Sequence, residues 1–340
     1  MHDSSALSIA IVIPVYNGGQ KFQKCLTSIQ NSCYTPDELI VVSDCDTDGS
    51  WQLAKGFGAQ VHRLTSQVGP AKARNIGVEK ASSDIIFFID ADVEVHNDTI
   101  GKVVQEFQKR PQMDALIGSY DDEPYETNFL SQYKNLFNHY VHQTALEEAS
   151  TFWGACGAIR KSVFLTAGGF DESYRKPCIE DIELGYRLKQ RGYQIRLCKD
   201  IQVKHLKCWQ PLSLLRAEIF YRALPWTELL LSQKQFNADL NLSYSNRLSV
   251  LLVFGLGATG IGSIYWPNLL FLGGLTAVAL FIINARVYRF FYQKRGLAFA
   301  LKTIPWHWFY FLYGGFSFAL ATLSFQLRRI QDTDRRVTQY

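Results

Sequence analysis

Asp90 and Asp92 stand one residue apart, directly behind a run of five apolar residues, 85–89. A short apolar run with polar ends reads as a buried strand, so both acids fall at a strand end. Two carboxylates so spaced can reach one hard cation. Mg2+ or Mn2+ held there can bridge to a diphosphate and neutralise a leaving group. The triplet alone is equally a solvated turn. Asp44 closes another apolar run, 38–42; a carboxylate there can accept a hydrogen bond from a nucleobase N–H or simply form the turn. Asp46 and Asp48 read as turn or capping residues. Glu180-Asp181 opens a helical stretch. Transfer to a hydroxyl needs a base, and a carboxylate is a suitable one, although acids at a helix start are also favoured by the helix dipole. Lys72 and Arg74 lie just inside a helix opened by Gly69-Pro70. Helix N-termini attract phosphates; a solvated basic face is the alternative.

The elements that must position these residues follow from the hydrophobic pattern. Residues 9–15 form an apolar run that ends in Pro14-Val15-Tyr16-Asn17-Gly18. Residues 21–32 have helical spacing, with Phe22, Cys25, Leu26 and Ile29 on one face. Strands are expected at 38–42, 59–64 and 84–89, with a short helix after the polar loop 43–50 and another over 70–80. Alternating strands and helices make a doubly wound parallel sheet, and such sheets bind ligands at the carboxyl ends of their strands. Tyr16-Asn17-Gly18, the loop 44–48 and Asp90-Ala91-Asp92 are three such ends. Beyond Val93 the pattern changes. Helices are expected at 129–149 and 179–191, a strand and loop at 193–206 ending near His205, and an amphipathic helix at 210–232 that lies along a membrane surface.

The 340-residue chain is 47% hydrophobic, long enough for one large α/β domain and a smaller addition. Its apolar residues are unevenly spread. Residues 248–285 and 303–327 contain no charged residue, and about 20 apolar residues cross a bilayer as a helix. Residues 241–340 carry ten Lys and Arg against two Asp, while the whole chain is +4, so the first 240 residues are net acidic. A basic membrane segment suits an anionic cytoplasmic leaflet, and an acidic remainder argues against nucleic acid as the main partner. Residues 1–8 show neither the basic leader nor the apolar core of a signal peptide, so the large domain is expected in the cytosol. The seven cysteines are scattered without a CxxC pair, which fits neither a zinc site nor a disulfide frame and agrees with a reducing compartment.

Taken in order, these stretches resemble the family 2 glycosyltransferases, inverting enzymes of the GT-A fold. The matching segments are Val12-Ile13-Pro14-Val15-Tyr16-Asn17, Ile40-Val41-Val42-Ser43-Asp44, Ala73-Arg74-Asn75-Ile76-Gly77, Phe88-Ile89-Asp90-Ala91-Asp92, Gly168-Gly169-Phe170-Asp171-Glu172 and Glu180-Asp181-Ile182-Glu183-Leu184-Gly185-Tyr186-Arg187-Leu188. Each is weak alone; the ordered set, over roughly residues 9–210, is specific. The resemblance implies a GT-A-type, mostly parallel α/β sheet over 1–208, with a donor half at about 9–120 and an acceptor half at about 121–208. It implies a nucleotide-diphosphate sugar donor and a divalent metal, Mg2+ or Mn2+. Pro14, Tyr16, Asn17, Asp44, Lys72, Arg74, Asn75 and Asp90 would face the donor, with Asp44 at its base and Asp90 near its ribose and diphosphate. Asp92 would ligate the metal, with Asp90 and His205 beside it. Asp181 would be the catalytic base, and Trp153, Gly154 and Glu180 would line the acceptor side. One position departs from the pattern: the family often has two adjacent acids after the second strand, and here the first is Ser43, which leaves the donor base open.

Behind an interfacial helix and linker at 209–246, residues 247–340 are expected to form transmembrane helices. Segments 248–266 and 268–285 suit a hairpin around Trp266-Pro267 with Arg247 and Arg286 on the cytosolic side. Segment 306–327 either spans or re-enters through a bend at Gly314-Gly315; the bend would keep Arg328, Arg329, Arg335 and Arg336 in the cytosol. The expected protein is an integral membrane enzyme of cell-envelope biosynthesis, acting at the cytosolic face of the plasma (inner) membrane on a hydroxyl of a lipid or lipid-linked glycan. Three other readings compete. A polyprenyl-phosphate acceptor would need no base. A sugar-1-phosphate nucleotidyltransferase wants a Gly-rich basic loop after the first strand, which Tyr16-Asn17-Gly18-Gly19-Gln20-Lys21 supplies poorly. A non-catalytic membrane scaffold would have no need of Asp90, Asp92 and Asp181.

Overall fold

A computed structural model describes residues 7–233 and 243–337, with side chains placed as far as residue 331. Residues 1–6, residues 234–242 of the expected linker, and the side chains of Arg335 and Arg336 lie outside the described residues. The chain divides into two units, Met1–Trp209 and Gln210–Tyr340.

The first unit is a mixed sheet between helices. Its strands are β1 (Ile9–Val15), β2 (Glu38–Ser43), β3 (Gln60–Arg63), β4 (Ile85–Ile89), β5 (Val93–Val95), β6 (Ala115–Tyr120), β7 (Cys156–Arg160) and β8 (Ile195–His205). They lie in the order β3-β2-β1-β4-β7-β6-β8-β5. β3, β2, β1 and β4 are parallel, and β6 is parallel to β8. β7 runs antiparallel between β4 and β6, and β5 antiparallel along β8. The sheet is therefore mixed; its parallel part β3-β2-β1-β4 follows the alternating pattern. The antiparallel β7 and β5, together with β6, are findings of the structure. They come from a stretch with no simple alternation, where Gly118 and Gly157 interrupt the apolar runs.

Helices α1 (Gly19–Gln30), α2 (Ser50–Gly56) and α4 (Thr99–Lys109) alternate with these strands, as do α3 (Pro70–Lys80), α5 (Phe129–Thr144), α6 (Lys161–Ala167) and α7 (Glu180–Gln190). β1, β2 and β4 are buried almost throughout, because helices cover both faces of a parallel sheet. One apolar cluster gathers Ile9, Ile11 and Ile13 with Phe22 and Leu26 of α1 and Phe107 of α4. The other gathers Ala10 and Val12 with Ala73 and Val78 of α3, Phe164 of α6 and Leu184 of α7. α3 lies so close to β1 that a Cβ at Gly77 would stand 2.4 Å from Val12 Cγ1. Gly77→Ala is expected to destabilise the unit by about 1–3 kcal/mol through overpacking, read as a lower midpoint in urea unfolding.

The second unit is helical. The single amphipathic helix expected over 210–232 is in fact three pieces: α8 (Pro211–Glu218), a π-helical turn at Ile219–Ala223, and α9 (Leu224–Gln233). α10 (Tyr244–Gly262) and α11 (Leu269–Ile283) form a helical pair around the expected Trp266-Pro267 turn. α12 (Ala285–Val337) follows and is broken at Gly296, whose φ of 79° is open to glycine. Of the two alternatives for 306–327, the bend at Gly314-Gly315 is not formed; the helix runs through both residues. α11 has 15 residues, about 22 Å at 1.5 Å per residue, short of the roughly 30 Å hydrocarbon core. Among the described residues, Ala285–Gln331 is the one helix long and apolar enough to cross a membrane by length and composition. Large apolar side chains stay exposed along these helices, among them Leu251, Phe271, Ile282, Leu301 and Phe316.

Candidate active site

Arg74 is the centre of the site. α3 carries it beneath the end of β4, where only 5% of the residue is exposed. Its Nη2 donates to Asp90 Oδ1 at 2.7 Å and its Nη1 to Glu180 Oε1 at 2.9 Å. Its guanidinium lies 5.5 Å from the centre of the Phe170 ring. Burial opposes the charge on Arg74, but Asp90, Glu180 and Asp181 around it hold its pKa above the ordinary arginine value. Arg74 thus draws the end of β4 to the start of α7, two places 90 residues apart in sequence. Of the two cations expected near the helix start, Arg74 is engaged by two carboxylates, and Lys72, half exposed, pairs with Glu172 at 3.2 Å.

Asp181 follows Glu180 at the head of α7. Its Oδ2 accepts the Gly154 N–H at 3.0 Å and its Oδ1 the Ile182 N–H at 2.8 Å. Glu180 is buried, and its Oε2 accepts the Cys178 N–H at 2.8 Å, so it belongs to the support of the site. Gly154 passes close to Arg74; a Cβ there would stand 3.0 Å from Arg74 Cζ. The Trp153-Gly154 turn therefore lies against both Arg74 and Asp181, the two groups that a larger residue at 154 would press apart.

Asp92 faces the end of β8. His205 Nε2 is 3.7 Å from Asp92 Oδ2, and the backbone ties the same place, with Leu206 N–H donating to Asp92 O at 2.8 Å. The His205 ring stacks on Tyr120 with centroids 4.4 Å apart, and Tyr120 meets Trp153 edge to face at 4.6 Å. An aromatic row therefore links the Asp92 side to the Asp181 side. Tyr120 and Asn135, which bonds His205 Nδ1 at 3.0 Å, are functional candidates that sequence reasoning missed. Nothing in their local spacing marks them; both gain meaning only when β6 and α5 meet β8.

The donor-side residues are held by a different network. Asp44 is buried, and its two oxygens accept the Val68 and Gly69 N–H groups at 2.7 and 2.9 Å. Asn17, at φ 50°, accepts the Thr47 N–H at 2.8 Å, joining the ends of β1 and β2. Asp48 accepts from Gly19 and Ser50. Ser43, which departs from the family pattern, donates to buried Asp46, so an acid three residues on shares its place. Pro14 lies in β1 beside Val42, and Tyr16 beyond it is half exposed. Asn75 spends its amide on the Phe170 backbone, at 2.9 Å in both directions. It fixes the Gly168-Gly169-Phe170 turn.

A divalent cation of the Mg2+ or Mn2+ type commonly takes one or two carboxylates and completes its shell with substrate phosphates and water. Among the described residues, no group of three or more His, Cys, Asp or Glu side chains is gathered to enclose a cation. Asp92 and His205 fit such an ion as a two-donor set, with the Asp92 side chain 29% exposed. Asp90, also expected beside the ion, pairs through Oδ1 with Arg74.

Residues 10–166 match the model of glycosyl transferase family 2. Glycosyltransferase GlyA of Streptococcus pneumoniae is 33% identical over 119 residues, covering 33% of this chain and 16% of that protein. The O-antigen chain rhamnosyltransferase RfbN of Salmonella typhimurium is 25% identical over 238 residues, covering 65% of this chain and 75% of that one. The chain thus spans a minor part of GlyA and most of RfbN. Among solved structures, the mannosyltransferase PcManGT of Pyrobaculum calidifontis, in complex with GDP-Man and Mn2+, superposes with a TM-score of 0.58 at 16% identity. That superposition covers 94% of this chain and 88% of that one, and it shows a shared fold. The match to the glycosyl transferase family 2 model thus falls on residues 10–166 of the N-terminal unit, the part that carries the ordered motifs.

Proposed function

We propose that the protein is an inverting glycosyltransferase that moves a sugar from a nucleotide-diphosphate donor to a hydroxyl of a lipid or cell-envelope glycan at the cytosolic membrane face. The observation that carries this reading is the meeting of Asp90, Glu180 and Asp181 around Arg74, with the Asp92–His205 pair two residues along from Asp90. The donor occupies the ends of β1, β2 and β4. Asp44, through the Val68 and Gly69 N–H groups, shapes the loop into which the base fits. Asp90, fixed by Arg74, orients the ribose and diphosphate. Asp92 and His205 would hold Mg2+ or Mn2+, and such an ion would supply charge neutralisation for the departing diphosphate.

Asp181 takes the proton of the acceptor hydroxyl. The hydroxyl oxygen bonds to the anomeric carbon as the carbon–oxygen bond to the diphosphate breaks on the opposite face, so configuration inverts. Two backbone N–H groups fix the plane of the carboxylate, which serves a base that must meet its proton at hydrogen-bond distance. Trp153 and Gly154 border the acceptor. A phosphate acceptor would leave this arrangement at Asp181 without a task, which favours a hydroxyl.

The exposed apolar helices of the second unit and the length of 285–331 support membrane attachment. Removal of the metal tests the ion assignment. Chelation by EDTA is expected to abolish release of nucleoside diphosphate, and Mn2+ or Mg2+ to restore it. Asp92→Asn is expected to raise the Mn2+ concentration needed at least tenfold. Full activity in EDTA would remove the ion from the account.

A further inference from the structure

His205 is useful to a cation only through a ring nitrogen that carries no proton, and the structure shows what decides which nitrogen that is. Its Nδ1 lies 3.0 Å from Asn135 Oδ1. An amide oxygen only accepts, so Nδ1 carries the proton and the neutral ring keeps a lone pair on Nε2. That Nε2 is the atom 3.7 Å from Asp92 Oδ2. The hydrogen bond at one ring nitrogen fixes the state of the other.

The same helix acts at a second point. One turn beyond Asn135, on the same face of α5, His139 Nδ1 contacts Tyr120 O at 2.7 Å, and the Tyr120 ring lies parallel to the His205 ring within 8°. α5 thus sets the tautomer of His205 through Asn135 and supports its ring plane through Tyr120. Asn135 is 3% exposed, and its Nδ2 has no hydrogen-bond partner. A buried amide left half satisfied is costly, and a residue chosen for packing alone would be apolar. Its Oδ1 contact with His205 is the use that accounts for it.

We propose that Asn135 is a positioning residue that holds His205 in the Nδ1–H tautomer, so that Nε2 faces Asp92 ready to bind a cation. This inference rests on the assignment of Asp92 and His205 to the metal, and its test separates the two. The full-length protein, labelled with 15N in its histidine rings, is examined at pH 8 by long-range 1H–15N correlation, with the His205 signals assigned from His205→Gln. The expected result is Nδ1–H for His205 in the wild type and in Asn135→Asp, which keeps an acceptor oxygen, and loss of that pattern in Asn135→Leu.

In parallel, Mn2+ is titrated in the presence of UDP or GDP and followed by electron paramagnetic resonance. Asn135→Leu is expected to weaken Mn2+ binding about 10- to 100-fold, while Asn135→Asp stays within a few-fold of the wild type. Nε2–H in the wild type, with the Asn135 amide turned round, overturns the proposal whether or not the leucine variant folds. Unchanged Mn2+ affinity in a folded Asn135→Leu overturns it as well. Absence of Mn2+ binding in the wild type counts against the metal assignment, and the tautomer then decides the role of Asn135 by itself.

Discussion

Asp181→Asn lowers the turnover number about 10²- to 10⁴-fold, the span that general-base catalysis supplies, while KM for the donor changes little. Asparagine keeps the shape of the side chain, and its one amide oxygen can accept either the Gly154 or the Ile182 N–H, so one of the two anchors stays in place while an NH2 group faces the other. What it cannot do is take a proton. The split between turnover and KM distinguishes this from collapse of the site, in which both would fail. Steady-state kinetics on wild type and variant, with circular dichroism as a control for folding, provide the measurement. A phosphate acceptor is already anionic and needs no base. If Asp181→Asn kept full activity, the base assignment would fall and a polyprenyl-phosphate acceptor would take the place of a hydroxyl.

Arg74→Met destabilises the first unit strongly, by about 3–5 kcal/mol, the usual cost of breaking a buried ion pair from one side. Glu180 decides the size of the effect. Its side chain is 5% exposed, and without Arg74 the Cys178 N–H remains to it as a donor. Asp90 adds less, because its side chain is 34% exposed and water screens it. The lower end of the range is therefore the better expectation, a fall in Tm on the order of 10 °C for a unit of this size. Adding Glu180→Gln to Arg74→Met is expected to recover part of the loss, since the uncompensated charge is then gone. Thermal unfolding of both single variants and the double variant measures the coupling directly. A loss under about 1 kcal/mol for Arg74→Met would mean that the pair is solvated. Activity is expected to fall with stability in this variant, because Asp90 loses the contact that aims it.

The parts of the fold that were legible in the sequence share a physical cause. β1, β2 and β4 are buried on both faces, so they appear as unbroken apolar runs that stop at turn residues. The acids at their ends could be placed because a strand end fixes position. β5 has three residues, too few to show a period, and β7 is antiparallel for reasons of tertiary pairing that no local pattern records. Arg74 was visible as a cation near a helix start, which reads as a phosphate site. Its true surroundings depend on Glu180, far along the chain, and no spacing rule joins them. Asn135 sits in the middle of an aromatic helix and was passed over for the same reason. In the C-terminal unit, hydropathy alone found the apolar segments but not the break at Gly296, where the backbone leaves the helical region in a basic stretch.

The central claim is that Asp90, Asp92 and Asp181 serve sugar transfer from a nucleotide-diphosphate donor. The most direct test is the nucleotide product formed when the protein meets a panel of nucleotide sugars with Mn2+ and membrane lipids. The account predicts free nucleoside diphosphate with at least one donor, formed together with a glycosylated lipid or glycan and lost in Asp181→Asn. Pyrophosphate as the product, or no turnover of any nucleotide sugar with metal and lipid present, would contradict it.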